Sequence, residues 1–155
     1  MAIRIRLFNR DDETFILSLI ERLSEFDLPE WRSSHEINTK NQKKLENAIK
    51  NPKPESAIYV AEDENGKSAG FIHLETEIDY FSGEKLGYIA AIAVDKASEG
   101  KGIGKSLLKT GEEWAKQRGY KLMWLYVFSG NTRAKAVYKR LGYGEEVVKL
   151  VKRIE

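Results

Sequence analysis

The sequence predicts an α/β fold built on a mixed central sheet with helices on both faces, in the order β-α-α-β-β-β-α-β-α-β. Three observations predict it. Two apolar runs, Ala57–Glu62 and residues 69–77, flank a polar stretch containing Asn65-Gly66, which is a strong hairpin signal. Residues 86–94 (LGYIAAIAV) are apolar almost without interruption, as suits a strand covered on both faces. From there on, apolar runs alternate with amphipathic ones, the pattern of strand-helix-strand units.

The elements follow in order. Ile3, Ile5 and Leu7 alternate with Arg4 and Arg6, a period of two that argues a first strand. Asn9 to Asp12 offers turn and cap chemistry. Phe15, Ile16, Leu19, Ile20 and Leu23 form one helical stripe. Leu45, Ala48 and Ile49 mark a shorter second helix that stops at Pro52, where a ring nitrogen cannot donate. The hairpin comes next, and a polar loop around Ser82-Gly83 leads to the strand 86–94. A helix over Ile103–Gln117 buries Ile103, Leu107, Leu108 and Trp114 and is capped by Gly119. Residues 122–128 (LMWLYVF) form another strand, 132–141 a short helix ended by Gly142, and 146–153 a last strand that closes the sheet.

Composition narrows the chemistry. A chain of 155 residues, 41% of them hydrophobic, is enough for one domain with a real core, expected to span 1–155. Lys and Arg number 26 against 24 Asp and Glu, so no global charge favours nucleic acid or a membrane surface. The absence of cysteine excludes disulfides, thiolate metal sites and cysteine nucleophiles. With His35 and His73 as its two histidines, the chain is not expected to hold a metal. The N-terminal stretch has no long apolar run, so a cytoplasmic protein without a leader or membrane span is expected.

The most informative string is residues 95–106, in which Gly100, Gly102 and Gly104 alternate between a buried strand and a helix. Glycine permits positive φ and removes the side chain that would block a ligand. Successive N–H groups then converge on one anion, and the helix start near Ile103 adds free donors and a positive dipole end. Lys101 and Lys105 add mobile charge. The string therefore predicts a phosphate or diphosphate site. Gly104-Lys105-Ser106 looks like the end of a P-loop, but Glu99 stands where that motif needs glycine. The dinucleotide-binding spacing also fails, at Lys105.

Ile92-Ala93-Val94 followed by Glu99-Gly100-Lys101-Gly102-Ile103-Gly104 resembles motif A of the GCN5-related N-acetyltransferases (GNAT). Gly102 and Gly104 match its glycines, while Glu99 replaces its Arg or Gln, a change expected to remove a favourable cofactor contact. Asn131-Thr132-Arg133-Ala134 through Tyr138 to Leu141-Gly142-Tyr143 is similar to motif B of the same family. The resemblance implies a GNAT-like acyl-CoA N-acyltransferase fold and acetyl-CoA as cofactor. It also implies that the strands ending at Val94 and spanning 122–128 splay apart. The pantetheine arm would lie in that gap on Ile92, Ala93 and Val94. The diphosphate would sit on Gly100, Lys101, Gly102, Ile103, Gly104 and Lys105, beside Glu99 and Ser106. Asn131 and Ala134 would contact the arm, and Tyr138 would point at the sulfur.

Tyr138 is the expected general acid, since a phenol with an ordinary pKa near 10 stays protonated at neutral pH. A backbone N–H near Ala93 or Val94 is expected to hold the developing oxyanion. His73, Glu75 and Glu77 share one face of a strand under strict alternation. Glu75 is the expected base, acting through water, and the alternative is that these carboxylates merely solvate an exposed face. By resemblance, the segment with Phe26, Glu30 and Trp31 lines the acceptor site, and an acidic, aromatic lining suits a cationic amine. The partner expected is a small-molecule or peptide amine, and exposed sheet edges make a homodimer plausible. Two other readings stay open: a catalytically silent acyl-CoA-binding module and, further off, a small P-loop-type nucleotide-binding protein.

Overall fold

The computed structural model describes residues 2–155; Met1 lies outside them. Five strands form one sheet in the order β1-β2-β3-β4-β5. They are β1 (Arg4–Leu7), β2 (Ala57–Glu62), β3 (Ser68–Ile78), β4 (Lys85–Val94) and β5 (Met123–Leu125). β1 to β4 pair antiparallel, and β4 and β5 pair parallel, so the sheet is mixed as the sequence predicts. The helices are α1 (Glu13–Ser18), α2 (Ser34–Lys50), α3 (Ile103–Gln117) and α4 (Thr132–Arg140). Among the described residues no helix is long and apolar enough to cross a membrane.

The period-two alternation of β3 divides the core. Ile72 and Leu74 pack with Ile103, Leu107, Leu108 and Trp114 of α3 on one face. Phe71 packs with Ile16, Leu19, Ile20 and Leu45 on the other. A side chain as fully buried as Leu107 contributes roughly 1.5–3 kcal/mol. The edge is tied electrostatically: Arg6 on β1 bonds Asp12 at 2.8 Å ahead of α1 and Glu62 on β2 at 2.8 Å.

Four expectations need correction. The first apolar stripe does not make one continuous helix: α1 ends at Ser18 and a tighter 3-10 stretch follows over Ile20–Ser24. The stripe is still buried, and the buried Ser24 hydroxyl bonds the Asn38 side chain at 2.6 Å. The second helix is not shorter but the longest, 17 residues, started by a reciprocal Ser33–Glu36 capping box. Its mostly polar face hid its length from an apolar pattern. The strand expected over 122–128 shrinks to Met123–Leu125, because the chain leaves β4 after Leu125. The strand expected over 146–153 is absent. Val147, Val148, Leu150 and Ile154 are exposed there. Alternation supplies strand propensity, but a strand also needs a ladder, and three-residue β5 presents almost none.

Candidate functional site

The site begins where two strands part. β5 meets β4 only at Gly87–Met123, Tyr88–Trp124 and Ile89–Leu125, while β4 runs on to Val94. The parting coincides with a bulge: Leu74 pairs with Ile89 and His73 with Ala91, so Ala90 has no opposite number on β3. An extra residue reverses which backbone groups point to which neighbour. Before the bulge, Gly87 donates its N–H towards β5, to Leu122 O at 3.0 Å. After it, Asp95 donates to Ala69 O on the β3 side at 2.8 Å. By the alternation of an antiparallel ladder, Ala93 also commits its groups to β3, and Ile92 and Val94 turn theirs into the gap. The Val94 carbonyl accepts from Arg22 Nε at 3.0 Å, consistent with that direction. The donor expected near Ala93 or Val94 is therefore narrowed to Val94, since the Ala93 amide is spent.

After a short turn in which the Asp95, Ser98 and Glu99 amides are bonded to Ala69, Asp95 and Lys96 carbonyls, the chain enters the glycine loop. Gly100 and Gly102 both stand at φ 79°, a conformation costly for other residues. A side-chain carbon added at either would meet nothing within 4 Å, so the space above the loop is open to a ligand. Gly102 caps α3 without any side-chain bond, and the first helical bond is Ser106 N to Gly102 O at 3.0 Å. The amides of Ile103, Gly104 and Lys105 thus lack intrahelical acceptors, and Lys101 and Lys105 are exposed beside them. These features suit a diphosphate. Glu99 is not a bare negative charge at its edge: one oxygen accepts from Arg22 Nη2 at 2.7 Å and the other from Arg133 Nη1. Arg133 foremost, then Arg22, hold its carboxyl below the ordinary range.

On the α2 face of β3 lie His73, Glu75 and Glu77, as alternation predicts. Glu75 sits opposite Tyr88, which sits opposite Trp124. Glu75 is only 6% exposed, so the reading of it as part of a solvated face does not hold. Its Oε2 faces His73 Nε2 at 3.4 Å and Lys53 Nζ at 3.7 Å. The His73 contact, helped by the charges of Lys44 and Lys53 and opposed by burial, brings its pKa down to about 2. A carboxylate so acidic is a poor proton acceptor at neutral pH, which counts against the expected base role. Beside it, Glu77 Oε1 accepts from Trp124 Nε1 at 2.9 Å. The Lys44 ammonium lies 5.0 Å from the Tyr88 ring centre, and Tyr126 meets Tyr88 edge-on at 5.8 Å.

Tyr138 lies on the opposite, α3 face, half-buried against that core. Burial raises its phenol above the ordinary value, so it is protonated at neutral pH. Asn131 caps α4 by accepting from Ala134 N at 3.3 Å. That leaves its amide nitrogen to donate elsewhere but occupies the Ala134 N–H. Phe26 packs on Phe128 with ring centres 5.6 Å apart, which brings the expected acceptor segment beside the loop that carries Asn131. Trp31 is half-buried, and Glu30 is exposed. Sequence reasoning did not point to Arg22, Trp124 and Lys44, whose contacts with Glu99, Glu77 and Tyr88 join elements far apart in the chain. It also passed over Arg133, although that residue lay inside the second motif.

The model of the acetyltransferase (GNAT) family matches residues 18–143. The chain belongs to this family. An uncharacterised N-acetyltransferase of Methanocaldococcus jannaschii is 39% identical over 106 residues, 64% of this chain and 46% of that protein. A mycothiol acetyltransferase of Amycolatopsis mediterranei is 36% identical over 93 residues, 57% of this chain and 30% of that one. The chain thus spans less than half the length of these two relatives. A solved Pyrococcus furiosus structure, provisionally named an acetyl transferase, superposes with a TM-score of 0.77 at 27% identity, covering 99% of this chain and 100% of that one. An aminoglycoside 6'-N-acetyltransferase from Acinetobacter baumannii has a TM-score of 0.72 at 18% identity, with 99% and 100% coverage. At that identity the likeness concerns the fold. The GNAT fold expected from the two motifs is the fold observed.

Proposed function

We propose that this GNAT chain is an N-acetyltransferase that moves an acetyl group from acetyl-CoA to a primary amine of a small molecule or protein. It would act as a single domain over 1–155 in the cytoplasm. One observation carries the reading: two groups of outward-facing main-chain donors, at Ile92 and Val94 in the gap and at the glycine loop and first turn of α3, stand on either side of one short turn. That pair of donor groups matches a ligand with an amide-bearing arm joined to a diphosphate.

Acetyl-CoA would supply the activated acetyl thioester. Ile92 and Val94 would hold the arm in the gap, with Asn131 donating to it, and residues 100–105 would hold the diphosphate. The Val94 N–H would donate to the oxygen that gains negative charge during transfer. As the N–C bond forms and the C–S bond breaks, Tyr138 would give its proton to the departing sulfur. Glu75 and Tyr138 lie on opposite faces of the sheet, so acceptor and donor would approach the gap from opposite sides. Much of the rate gain would come from that juxtaposition. Glu75, ionised at neutral pH, would orient the ammonium and the water that takes its proton. Phe26, Glu30 and Trp31 would line the acceptor entrance.

The depressed pKa of Glu75 favours one second reading, an acyl-CoA-binding module without turnover. Thiol release from acetyl-CoA with a panel of amines separates the two. Turnover with at least one amine is expected, and Tyr138→Phe should lower kcat by about 100-fold with CoA affinity nearly unchanged. Tight CoA binding with no thiol release from any amine would establish the module instead.

A further inference from the structure

We infer that Arg133 is a phosphate-binding residue for the diphosphate of the cofactor, and that Glu99 competes for it and so sets the affinity. The inference rests on the CoA reading above. It starts from a difference between two arginines. Arg22 is 22% exposed in its side chain and is held three ways, by Val94 O at 3.0 Å, Glu25 at 2.8 Å and Glu99 at 2.7 Å. Arg133 is 75% exposed, and its ion pair is with Glu99. Arg22 is anchored, whereas Arg133 is tethered at one point by a long side chain that can turn.

The tether lies beside the loop. Glu99 immediately precedes Gly100, so both guanidiniums sit at the entry to the glycine loop. A diphosphate offers more charge and more acceptor oxygens than a carboxylate, in a geometry that suits the guanidinium fork. Arg133 can therefore exchange Glu99 for phosphate, while Arg22 keeps Glu99 from facing the anion uncompensated. Helix stability does not explain the placement of Arg133. It stands in the first turn of α4, which has no acidic residue, where the helix dipole disfavours a cation. The family position occupied by Glu99 thus does not simply lose a cofactor contact; its positive partner arrives from another element.

Calorimetric titration of the whole chain tests this with CoA, 3'-dephospho-CoA and pantetheine. Glu99→Gln should tighten CoA about 3-fold, and Arg133→Gln should weaken it about 5-fold, in the range of exposed charge pairs. In the double variant the gain from Glu99→Gln should vanish. Both single effects should persist with 3'-dephospho-CoA and disappear with pantetheine, which has no phosphate. CoA binding that is unchanged or weaker in Glu99→Gln overturns the competition, as does a gain that survives Arg133→Gln. Effects lost with 3'-dephospho-CoA overturn the assignment to the diphosphate. Failure of the parent chain to bind CoA at all would remove the cofactor reading itself, a result distinct from these.

Discussion

Gly130 runs directly against the backbone of Asp27, so that a side-chain carbon at Gly130 would collide with the Asp27 carbonyl oxygen. The loop after β5 and the loop before α2 are therefore in backbone contact, with Phe26 on Phe128 alongside. One loop carries Asn131, expected at the cofactor, and the other carries Phe26, Glu30 and Trp31, expected at the acceptor. The contact makes the geometry of each depend on the other.

Gly130→Ala should push the two loops apart. Overpacking of this kind costs about 1–3 kcal/mol, to be read from the denaturant midpoint. Because the 25–31 segment is displaced while the glycine loop is not, KM for the acceptor should rise about 10-fold, with a smaller loss of CoA affinity through Asn131. An unaltered acceptor KM would detach that segment from the acceptor site.

Two glycines of the loop before α3 should respond differently to alanine. Gly102 stands at φ 79°, so Gly102→Ala imposes a strain of roughly 1–2 kcal/mol and should weaken CoA binding together with stability. Gly104 has no positive φ, and a methyl there would meet only Val94 Cγ2 at 3.7 Å, an ordinary contact. Gly104→Ala should be tolerated, with a slight gain in stability from higher helix propensity. Thermal unfolding and CoA titration of both variants check the contrast.

Glu75 makes a prediction about pH. Its folded pKa lies below the ordinary carboxylate value, at about 2, so the folded state binds the proton less readily than the unfolded one. The stabilisation is complete above the unfolded value, near 4.3, and is lost as pH falls from there towards 2. Glu75→Gln should flatten that part of the stability curve. Under the proposed acetyl transfer, kcat/KM between pH 5 and 8 should show no ionisation belonging to Glu75. A limb in that range that Glu75→Gln abolishes would restore Glu75 as the base.

The C-terminal stretch should behave as an unpaired segment. Leu150 and Ile154 are 91% and 86% exposed and no strand is formed there, so amides of residues 146–154 should exchange at nearly unprotected rates. Strong protection that grows with protein concentration would instead show those residues completing a sheet between two copies.

The local patterns were legible from the chain alone. Alternation placed β1, the β2–β3 hairpin and the three side chains His73, Glu75 and Glu77 on one face, because side-chain direction in a strand has a period of two. Glycines between an apolar run and an amphipathic helix located the glycine loop and the start of α3, because left-handed backbone and free amides are properties of a few consecutive residues. The two motifs with their spacing were enough to indicate the family. Other features were decided by the tertiary structure. The bulge at Ala90 chooses Ile92 and Val94, rather than Ala91 and Ala93, to face the gap. The His73 contact, working against burial, turns Glu75 from a solvated carboxylate into a strongly acidic one. Arg22 and Arg133, 111 positions apart by their numbers, converge on Glu99. Each of these depends on which distant groups become neighbours, and hydrogen-bond direction, desolvation and charge pairing are set by neighbours in space.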